Sequence, residues 1–330
     1  MEAHMKKFML GFLFLSLCAV LLANDTYFVL AGGTLTPTTA SMTGVEMERE
    51  EIAVALYDGY YEITVDFSFY NRGAALTMPV GFPFFKQGTH GSGKIYDFVT
   101  WINGEKTDYA SHPIDEQWER ETGLSYAYVK TVTFPSHQRT ATKVSYKAAY
   151  GAEAPSNLRA VYLYGSGTSW ASRIGEIVIR VSNYSSSWIY SLAMPGENFD
   201  GAIQWQDGST FMTTVKNIEP EYTDCIEIQL CRPFFDTGPK AFPRSFYYDE
   251  IEIPQLTLDL LREDQLRLLR NWFYALHGYR FKSTDLINIF SREKWYSLND
   301  TFTESQLSDM ERANIEKILI TERALRGALK

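Results

Sequence analysis

Residues 263–278, EDQLRLLRNWFYALHG, decide the fold of the C-terminal part of this chain. Their apolar side chains recur at spacings of three and four, which predicts an amphipathic helix whose buried face contains Leu266, Leu269, Phe273 and Leu276. Asp264 is a suitable N-cap, because its carboxylate can accept a hydrogen bond from a free backbone N–H. Gly278 suits the position just after the last turn, because glycine adopts a left-handed backbone without strain. The region is therefore predicted to be helical.

Two more helices are predicted beyond this turn. The first begins near Asp285, in the stretch DLINIF. In TESQ, Thr303 and Gln306 have the spacing of a capping box, which predicts that the last helix begins there. The apolar face of this last helix is predicted to comprise Leu307, Met310, Ile318 and Leu325.

The chain before residue 236 has a different pattern, in which apolar and polar residues alternate. In YEITVDFSF, residues 61–69, every second side chain is apolar, which predicts a half-buried strand. Asp58–Gly59 and Asn103–Gly104 suit tight hairpin turns, because both positions of such turns need a positive φ. These features predict an antiparallel, sandwich-like all-β domain over residues 24–235. The whole chain is then an α+β multidomain protein.

Residues 236–249 are predicted to be a linker between the β domain and a helical domain over residues 250–326. Prolines concentrate around this stretch, and four of the chain's 12 are Pro233, Pro239, Pro243 and Pro254. The same stretch is rich in aromatic residues. We therefore expect it to pack on a neighbouring surface and not to swing freely.

The first 23 residues have the features of a secretory signal peptide. Lys6 and Lys7 precede an apolar run that ends at Ala23. This run is short for a membrane span, so we expect cleavage, export to the periplasm or the extracellular space, and no stable transmembrane anchor afterwards. Lipid anchoring at Cys18 is disfavoured, because the preceding Leu17 is bulky. Translation from either Met1 or Met5 fits this pattern.

The net charge of −9 disfavours nucleic acid as a partner, because proteins that bind nucleic acids carry basic surfaces.

Beyond the signal peptide the cysteines are Cys225 and Cys231, in CIEIQLC. If this stretch is a strand, the two residues lie roughly 20 Å apart at about 3.3 Å per residue. A disulfide needs Cα atoms within about 7 Å, so the strand geometry predicts two separate thiols.

LRLLRNWFYALHGYRF, together with DLINIF, KWY and ERANIEKI, resembles the YARHG domain, a small extracellular bacterial module, over residues 250–326. The matching positions are Leu269, Arg270, Asn271, Tyr274, Ala275, His277, Gly278, Phe281, Leu286, Phe290, Trp295, Tyr296, Leu307, Glu311, Asn314 and Ile318. Leu276 departs from the motif, which has arginine there. The resemblance implies a helical fold and no catalytic residues. The N-terminal region resembles an uncharacterised exported bacterial β-domain, which implies an architecture and no activity.

The motif residues have two interpretations. In the structural interpretation, Gly278 turns the chain and Asn314 ties the loop after His277 to the last helix, because a polar amide beside an apolar stripe needs hydrogen-bond partners. A small core would be packed by the rings of Tyr274, Phe281, Trp295 and Tyr296. In the functional interpretation, three side chains form a site for a small anion or a peptide carboxylate: Arg270, His277 and Arg280.

Signals for enzyme chemistry are sparse, and no catalytic residue, metal site or cofactor is predicted. YGSGTSWAS lacks the spacing of a serine-hydrolase turn. The histidines outside the signal peptide and the YARHG-like motif lack zinc-ligand spacing: His90, His112 and His137. HPIDEQWERE is acidic around His112, Asp115 and Glu119, a pattern more typical of a solvated loop than of a metal site. Glycan stacking, rather than core packing, is an alternative role for Trp101, Trp118, Trp170, Trp188 and Trp205.

The sequence therefore favours an exported, non-catalytic binding protein of the bacterial envelope or extracellular space. Its partner would be a protein, a peptide or a cell-wall component. Two alternatives stay open at this point. One is a hydrolase acting on envelope polymers, either peptidoglycan or another glycan, since the distance between two carboxylates depends on the fold. The other is a structural scaffold in an envelope assembly.

Overall fold

A computed structural model describes residues 26–31, 34–37, 44–85, 95–154, 157–194, 202–221, 224–231 and 248–329. The predicted signal peptide and residues 236–247 of the predicted linker lie outside the described residues. The described strands, in chain order, are β1 (Thr26–Ala31), β2 (Thr34–Pro37), β3 (Val45–Leu56), β4 (Tyr60–Asn71), β5 (Leu76–Phe85), β6 (Ile95–Ile102), β7 (Glu105–Thr107), β8 (Ala110–Pro113), β9 (Leu124–Phe134), β10 (Arg139–Ala149), β11 (Gly151–Ala154), β12 (Asn157–Leu163), β13 (Ile174–Asn183), β14 (Trp188–Ala193), β15 (Gln204–Trp205), β16 (Thr210–Ile218) and β17 (Cys225–Cys231). The helices are α1 (Glu116–Thr122), α2 (Gln255–Asp259), α3 (Glu263–Leu276), α4 (Thr284–Phe290) and α5 (Asp309–Ala328).

The strands form three sheets. The largest has eight strands in the order β15-β16-β13-β3-β4-β10-β6-β7, and the others have the orders β2-β1-β5-β9-β8 and β11-β12-β17-β14. The predicted β-rich N-terminal region and helical C-terminal region are both confirmed. The described strand pairings are antiparallel as predicted, except that β13 pairs with β3 in parallel.

The two smaller sheets pack side by side on one face of the eight-stranded sheet, and their apolar side chains share one core. The alternation predicted for β4 is confirmed, because the five apolar positions of residues 61–69 are all buried: Tyr61, Ile63, Val65, Phe67 and Phe69. The Asn103–Gly104 turn takes the predicted conformation, with φ of +50° at Asn103 and +86° at Gly104. In the Asp58–Gly59 turn, Gly59 has a φ of +93° but Asp58 does not have a positive φ, so that prediction is confirmed at the glycine and wrong at the aspartate. Local sequence patterns therefore set the faces and turns of this domain.

Strand β17 sends its alternate side chains to two different cores. Ile226, Ile228 and Leu230 join the main core of the sandwich. Cys225 and Cys231 point to the other face, where each packs in a different apolar cluster, and both thiols are buried. Burial raises the pKa of the Cys231 thiol to about 12. The two thiols therefore lie apart, and Cys231 is held in its neutral form.

The helical region has its own apolar core, formed mainly by α3, α4 and α5. Helix α3 covers the predicted stretch, but its N-cap is Arg262 and not Asp264. The side chain of Gln265 accepts a hydrogen bond from the Arg262 N–H at 3.0 Å, which fixes the start two residues earlier than predicted. None of the helices in the described parts of the chain combines the length and the apolar character needed to cross a bilayer.

Helix α5 begins later than the sequence signal suggested. Glu304–Gln306 forms a single 3-10 turn, and the capping box that starts α5 is formed by Ser308 and Glu311. The Ser308 N–H donates to Glu311 Oε2 at 2.7 Å, and the Glu311 N–H donates to Ser308 Oγ at 3.1 Å. The predicted start at Thr303 is therefore wrong, although it lies in the segment that leads into the helix.

The helical region packs directly on the β domain. Trp188 and Tyr190 of β14 belong to the same apolar core as α3, α4 and α5. Two hydrogen bonds join the parts: Thr257 Oγ1 donates to the Tyr190 carbonyl at 3.1 Å, and Trp205 Nε1 donates to the Asp259 carbonyl at 2.8 Å. The two regions therefore meet along β14 and the β15–β16 hairpin.

Candidate functional site

The sequence motif around His277 lies where α3 ends. The Gly278 N–H donates to the Ala275 carbonyl at 2.9 Å, and the Tyr279 N–H donates to the Tyr274 carbonyl at 3.1 Å. These two bonds form a Schellman motif, with Gly278 at a φ of +75°. A Cβ atom on Gly278 would lie 2.2 Å from the Ser297 carbonyl oxygen. Glycine is therefore required here by both its backbone conformation and the lack of space.

His277 contacts the N-terminal turn of α5. Its Nε2 lies 2.9 and 3.0 Å from the two carboxylate oxygens of Glu311. Because an ionised carboxylate can only accept, Nε2 is the donor in this contact. Only 6% of the Glu311 side chain is exposed, and the same carboxylate also accepts the Ser308 N–H. Histidine and glutamate thus join the end of one helix to the start of another.

The two arginines of the proposed anion site have carboxylate partners of their own. Arg270 lies 3.3 Å from Glu322, whose side chain is 3% exposed, and Arg280 lies 2.7 Å from Asp300 at the surface. His277 contacts Glu311, so each of the three candidate cations has a different acid as its partner. A ligand at such an anion site would compete with these three carboxylates, and the site stays a prediction.

The aromatic residues of the motif surround this turn. Phe281 is buried, and its ring stacks on Phe290 with centroids 5.0 Å apart. The Tyr296 hydroxyl donates to the Tyr279 carbonyl at 2.6 Å. Tyr274, Trp295 and Tyr296 are partly buried against the same core. These positions place the rings in packing contacts with one another.

Asn314 is fully buried, but its partners differ from the predicted ones. Its side-chain oxygen accepts the Ile253 N–H at 2.9 Å, and its nitrogen donates to the carbonyls of Tyr248 and Ile251, both at 2.8 Å. Asn314 therefore ties the segment before α2 to α5, and the predicted tie to the loop after His277 is wrong. Glu311, one turn earlier on α5, is the residue that joins α5 to the end of α3, through its contact with His277. The spacing of Ser308 and Glu311 indicates the capping box of α5, but nothing local in the sequence indicated the contact with His277.

An open cleft lies where the β domain meets the helical region, with Trp205 between its two halves. The first half, of about 290 Å³, has mostly apolar walls, which include Ile203, Leu258, Leu261, Ala324 and Leu325. The second, of about 410 Å³, has a charged wall formed by Arg262, Glu263, Asp264 and Arg267. The indole is fixed by its bond to the Asp259 carbonyl and by the Phe211 ring, whose centroid is 5.5 Å away. The sequence could not show this cleft, because its walls are more than 50 residues apart along the chain.

Other sequence candidates lie elsewhere. Trp170 and Trp188 are buried, whereas Trp101, Trp118 and Trp205 are partly buried. Asp115 caps α1 by accepting the Gln117 N–H at 2.9 Å. His90 lies outside the described residues. Within the described ranges, no group of three or more His, Cys, Asp or Glu side chains is placed to hold a metal ion.

The molecule is thus a two-part protein, with a β sandwich that carries a small helical domain. Residues 247–323 match the model of the YARHG domain, close to the predicted range of 250–326. The chain therefore carries a YARHG domain at its C-terminal end. No curated protein matches the sequence significantly.

Among solved structures, a candidate nutrient-binding protein from Legionella pneumophila aligns with a TM-score of 0.51 and 17% identity, over 92% of this chain and 99% of that one. At this identity the likeness shows a shared fold. An M1 zinc metallopeptidase from Deinococcus radiodurans aligns with a TM-score of 0.32 and 9% identity, over 57% of this chain and 42% of that one. Yeast LTA4 hydrolase aligns with a TM-score of 0.33 and 7% identity, over 56% of this chain and 29% of that one. Neither of these two similarities supports a functional inference.

Proposed function

We propose that this protein is an exported, non-catalytic binding protein of the bacterial envelope or extracellular space, and that its ligand occupies the cleft beside Trp205. The observation that carries the proposal is an open cleft at the junction of two domains with a positioned indole at its centre, since ligand sites favour such concave junctions. The description of the Legionella protein, which has the same fold, supports a binding role. The predicted signal peptide at residues 1–23 supports export.

The walls of the cleft favour a short peptide as the ligand. The half formed by α2 and α5 offers an apolar surface for a hydrophobic side chain. The half beyond Trp205 has arginine and carboxylate groups on its wall that pair with one another or with Asp285 and Arg326, so the charged end of a peptide would exchange with one of these ion pairs. A purely apolar ligand would leave the charged groups of this second half unused.

Native mass spectrometry of the purified protein with a mixture of short casein peptides tests the proposal. Ala324→Trp places a large ring on the cleft wall, at an exposed position of α5, and should abolish the peptide adducts seen with the wild-type protein. Ala313→Trp is the matched control, because Ala313 is exposed on the same helix, about 16 Å away at 1.5 Å per residue. This variant should bind as the wild type does.

Three results would contradict the proposal. Equal adducts on Ala324→Trp and wild type would show that the cleft is not the site. A wild-type protein that forms no adducts would remove short peptides as the ligand. Shortened peptides after incubation would show that the protein is a hydrolase.

A further inference from the structure

Three tyrosine rings form a column on the surface of the β domain. The rings of Tyr60 and Tyr57 lie 5.0 Å apart with an angle of 18° between their planes. The ring of Tyr184 lies 5.5 Å from that of Tyr57, at 30°. At the other end, Lys147 Nζ lies 6.0 Å from the centre of the Tyr60 ring. Lys147 therefore covers one end of the column, and Tyr184 forms the other.

Hydrogen bonds position the backbone segments that carry these three rings. The Tyr57 N–H donates to the Tyr60 carbonyl at 3.0 Å across the β3–β4 turn, and the Tyr150 hydroxyl donates to the Tyr57 carbonyl at 3.0 Å. The Tyr184 N–H donates to the Leu56 carbonyl at 2.9 Å, which holds the backbone of Tyr184 beside β3. Rings that already pack on one another lose less conformational entropy when a ligand binds, which favours this column as a contact surface.

Tyr184 is 57% exposed, although its ring lies 5.5 Å from that of Tyr57. Two polar residues are close to these tyrosines in the sequence, because Asp58 follows Tyr57 and Ser186 lies two positions after Tyr184. Asp58 Oδ1 accepts hydrogen bonds from the Ser186 N–H at 3.0 Å and from the Ser186 hydroxyl at 2.9 Å, and both residues are exposed. An exposed ring near a carboxylate and a hydroxyl suits a ligand with an apolar face and a hydroxyl-bearing rim.

We infer that this column is a carbohydrate-binding surface, and that Tyr184 stacks on a sugar ring of an insoluble glycan. A saccharide ring presents C–H groups on its face and hydroxyl groups at its rim, which match the ring and its polar neighbours. A protein partner would instead need a wide apolar patch. In the described part of the β domain, Tyr109 is the other strongly exposed large hydrophobic residue, so such a patch is lacking there.

This surface shares no lining residue with the cleft beside Trp205. It would let the protein stay attached to an envelope polymer while the cleft binds a small ligand. The inference therefore goes beyond the proposed function, and either one can fail alone.

Retention of the purified full chain on insoluble peptidoglycan and on chitin tests the inference. Wild-type protein and Tyr184→Phe, which keeps the ring, should be retained on both polymers. Tyr184→Ala should weaken retention at least tenfold. Tyr109→Ala is the control, since it removes another exposed tyrosine, and it should be retained like the wild type. Ala324→Trp, which blocks the cleft, should also be retained. Circular dichroism melting curves establish that each variant is folded.

Several outcomes would overturn the inference. Equal retention of Tyr184→Ala and wild type would remove the ring from the interaction. If Tyr184→Phe also loses retention, the interaction depends on the tyrosine hydroxyl and its hydrogen bond, and not on stacking of the ring. Retention on peptidoglycan but not on chitin would point to the peptide part of that polymer. No retention of the wild-type protein on either polymer would remove glycan as the ligand class.

Discussion

The imidazole of His277 lies within 3.0 Å of both carboxylate oxygens of Glu311, so that one contact joins the end of α3 to the start of α5. Glu311 also caps its own helix through Ser308. The histidine of the motif therefore contacts a structural carboxylate, and its polar edge is directed to a neighbouring helix. This arrangement makes stability the first property to measure in variants of the motif.

A double-mutant cycle should show that His277 and Glu311 are coupled. His277→Ala and Glu311→Ala are each expected to lower the free energy of unfolding by about 1–3 kcal/mol, because each leaves a polar partner without its hydrogen bond. The loss of unfolding free energy in the double variant should be smaller than the sum of the two single losses, by at least about 0.5 kcal/mol. Urea unfolding measures this. Arg280→Ala, which breaks an exposed ion pair with Asp300, should cost less than about 1 kcal/mol. Additive losses at His277 and Glu311 would contradict the coupling.

Gly278→Ala should be more destabilising than other glycine substitutions, by more than about 2 kcal/mol in total. It combines a left-handed backbone, worth about 1–2 kcal/mol, with a collision against the Ser297 carbonyl. Gly104→Ala has the positive φ but open space around it, and Gly208→Ala has neither problem. The melting temperature should therefore be lowest for Gly278→Ala, higher for Gly104→Ala and highest for Gly208→Ala. Equal melting temperatures for the first two would show that the collision is relieved at no cost.

Asn314→Ala should lower the free energy of unfolding by about 2–4 kcal/mol, because three hydrogen bonds are lost in a fully buried place. The effect should be local as well as global. Hydrogen exchange at the Ile253 amide, which donates to Asn314, should become faster. Asn271→Ala, which loses one bond to the Arg267 carbonyl, is the milder comparison. Unchanged protection at Ile253 would mean that Asn314 does not hold this segment.

The link between α3 and α4 should make stability depend on acid pH. Arg267 and Ser283 donate to Asp285, and they hold the pKa of its carboxyl well below the ordinary value of 3.8. A carboxyl with a lower pKa in the folded state contributes stability above its unfolded pKa, and this contribution is lost as the pH falls through the folded pKa. Asp285→Asn should therefore be less stable than wild type at neutral pH and should lose less stability on acidification.

Urea unfolding at a series of pH values down to about pH 2 tests this dependence. Arg267→Ala removes the main cause of the shift and should flatten the acid profile in the same way. If the unfolding free energies of both variants fall with pH in parallel with the wild type, the contact does not contribute to the acid dependence of stability.

Features set by neighbouring residues were predictable from the sequence. The buried face of β4 and the turn at Gly278 follow from side chains a few positions apart, so the pattern alone defines them. The start of α5 was ambiguous, because Thr303–Gln306 and Ser308–Glu311 both have capping-box spacing. The structure uses the second pair, whose glutamate also receives His277.

Features that join distant parts of the chain were not predictable in this way. The amide of Asn314 required partners, but nothing local identified the segment 248–253 that supplies them. The parallel pairing of β3 with β13 joins strands that lie more than 100 residues apart along the chain. Trp205 lies in a short hairpin, and its role at a domain junction depends on where α2 packs.

Helix α2 has a consequence for the behaviour of the β domain in solution. It lies against β14, the outermost strand of its sheet, where Thr257 satisfies the Tyr190 carbonyl. Without the YARHG domain, that strand would offer unpaired backbone groups and the rings of Trp188 and Tyr190 to any other extended chain. A fragment ending at residue 231 is thus expected to self-associate, because the C-terminal domain no longer covers this edge strand.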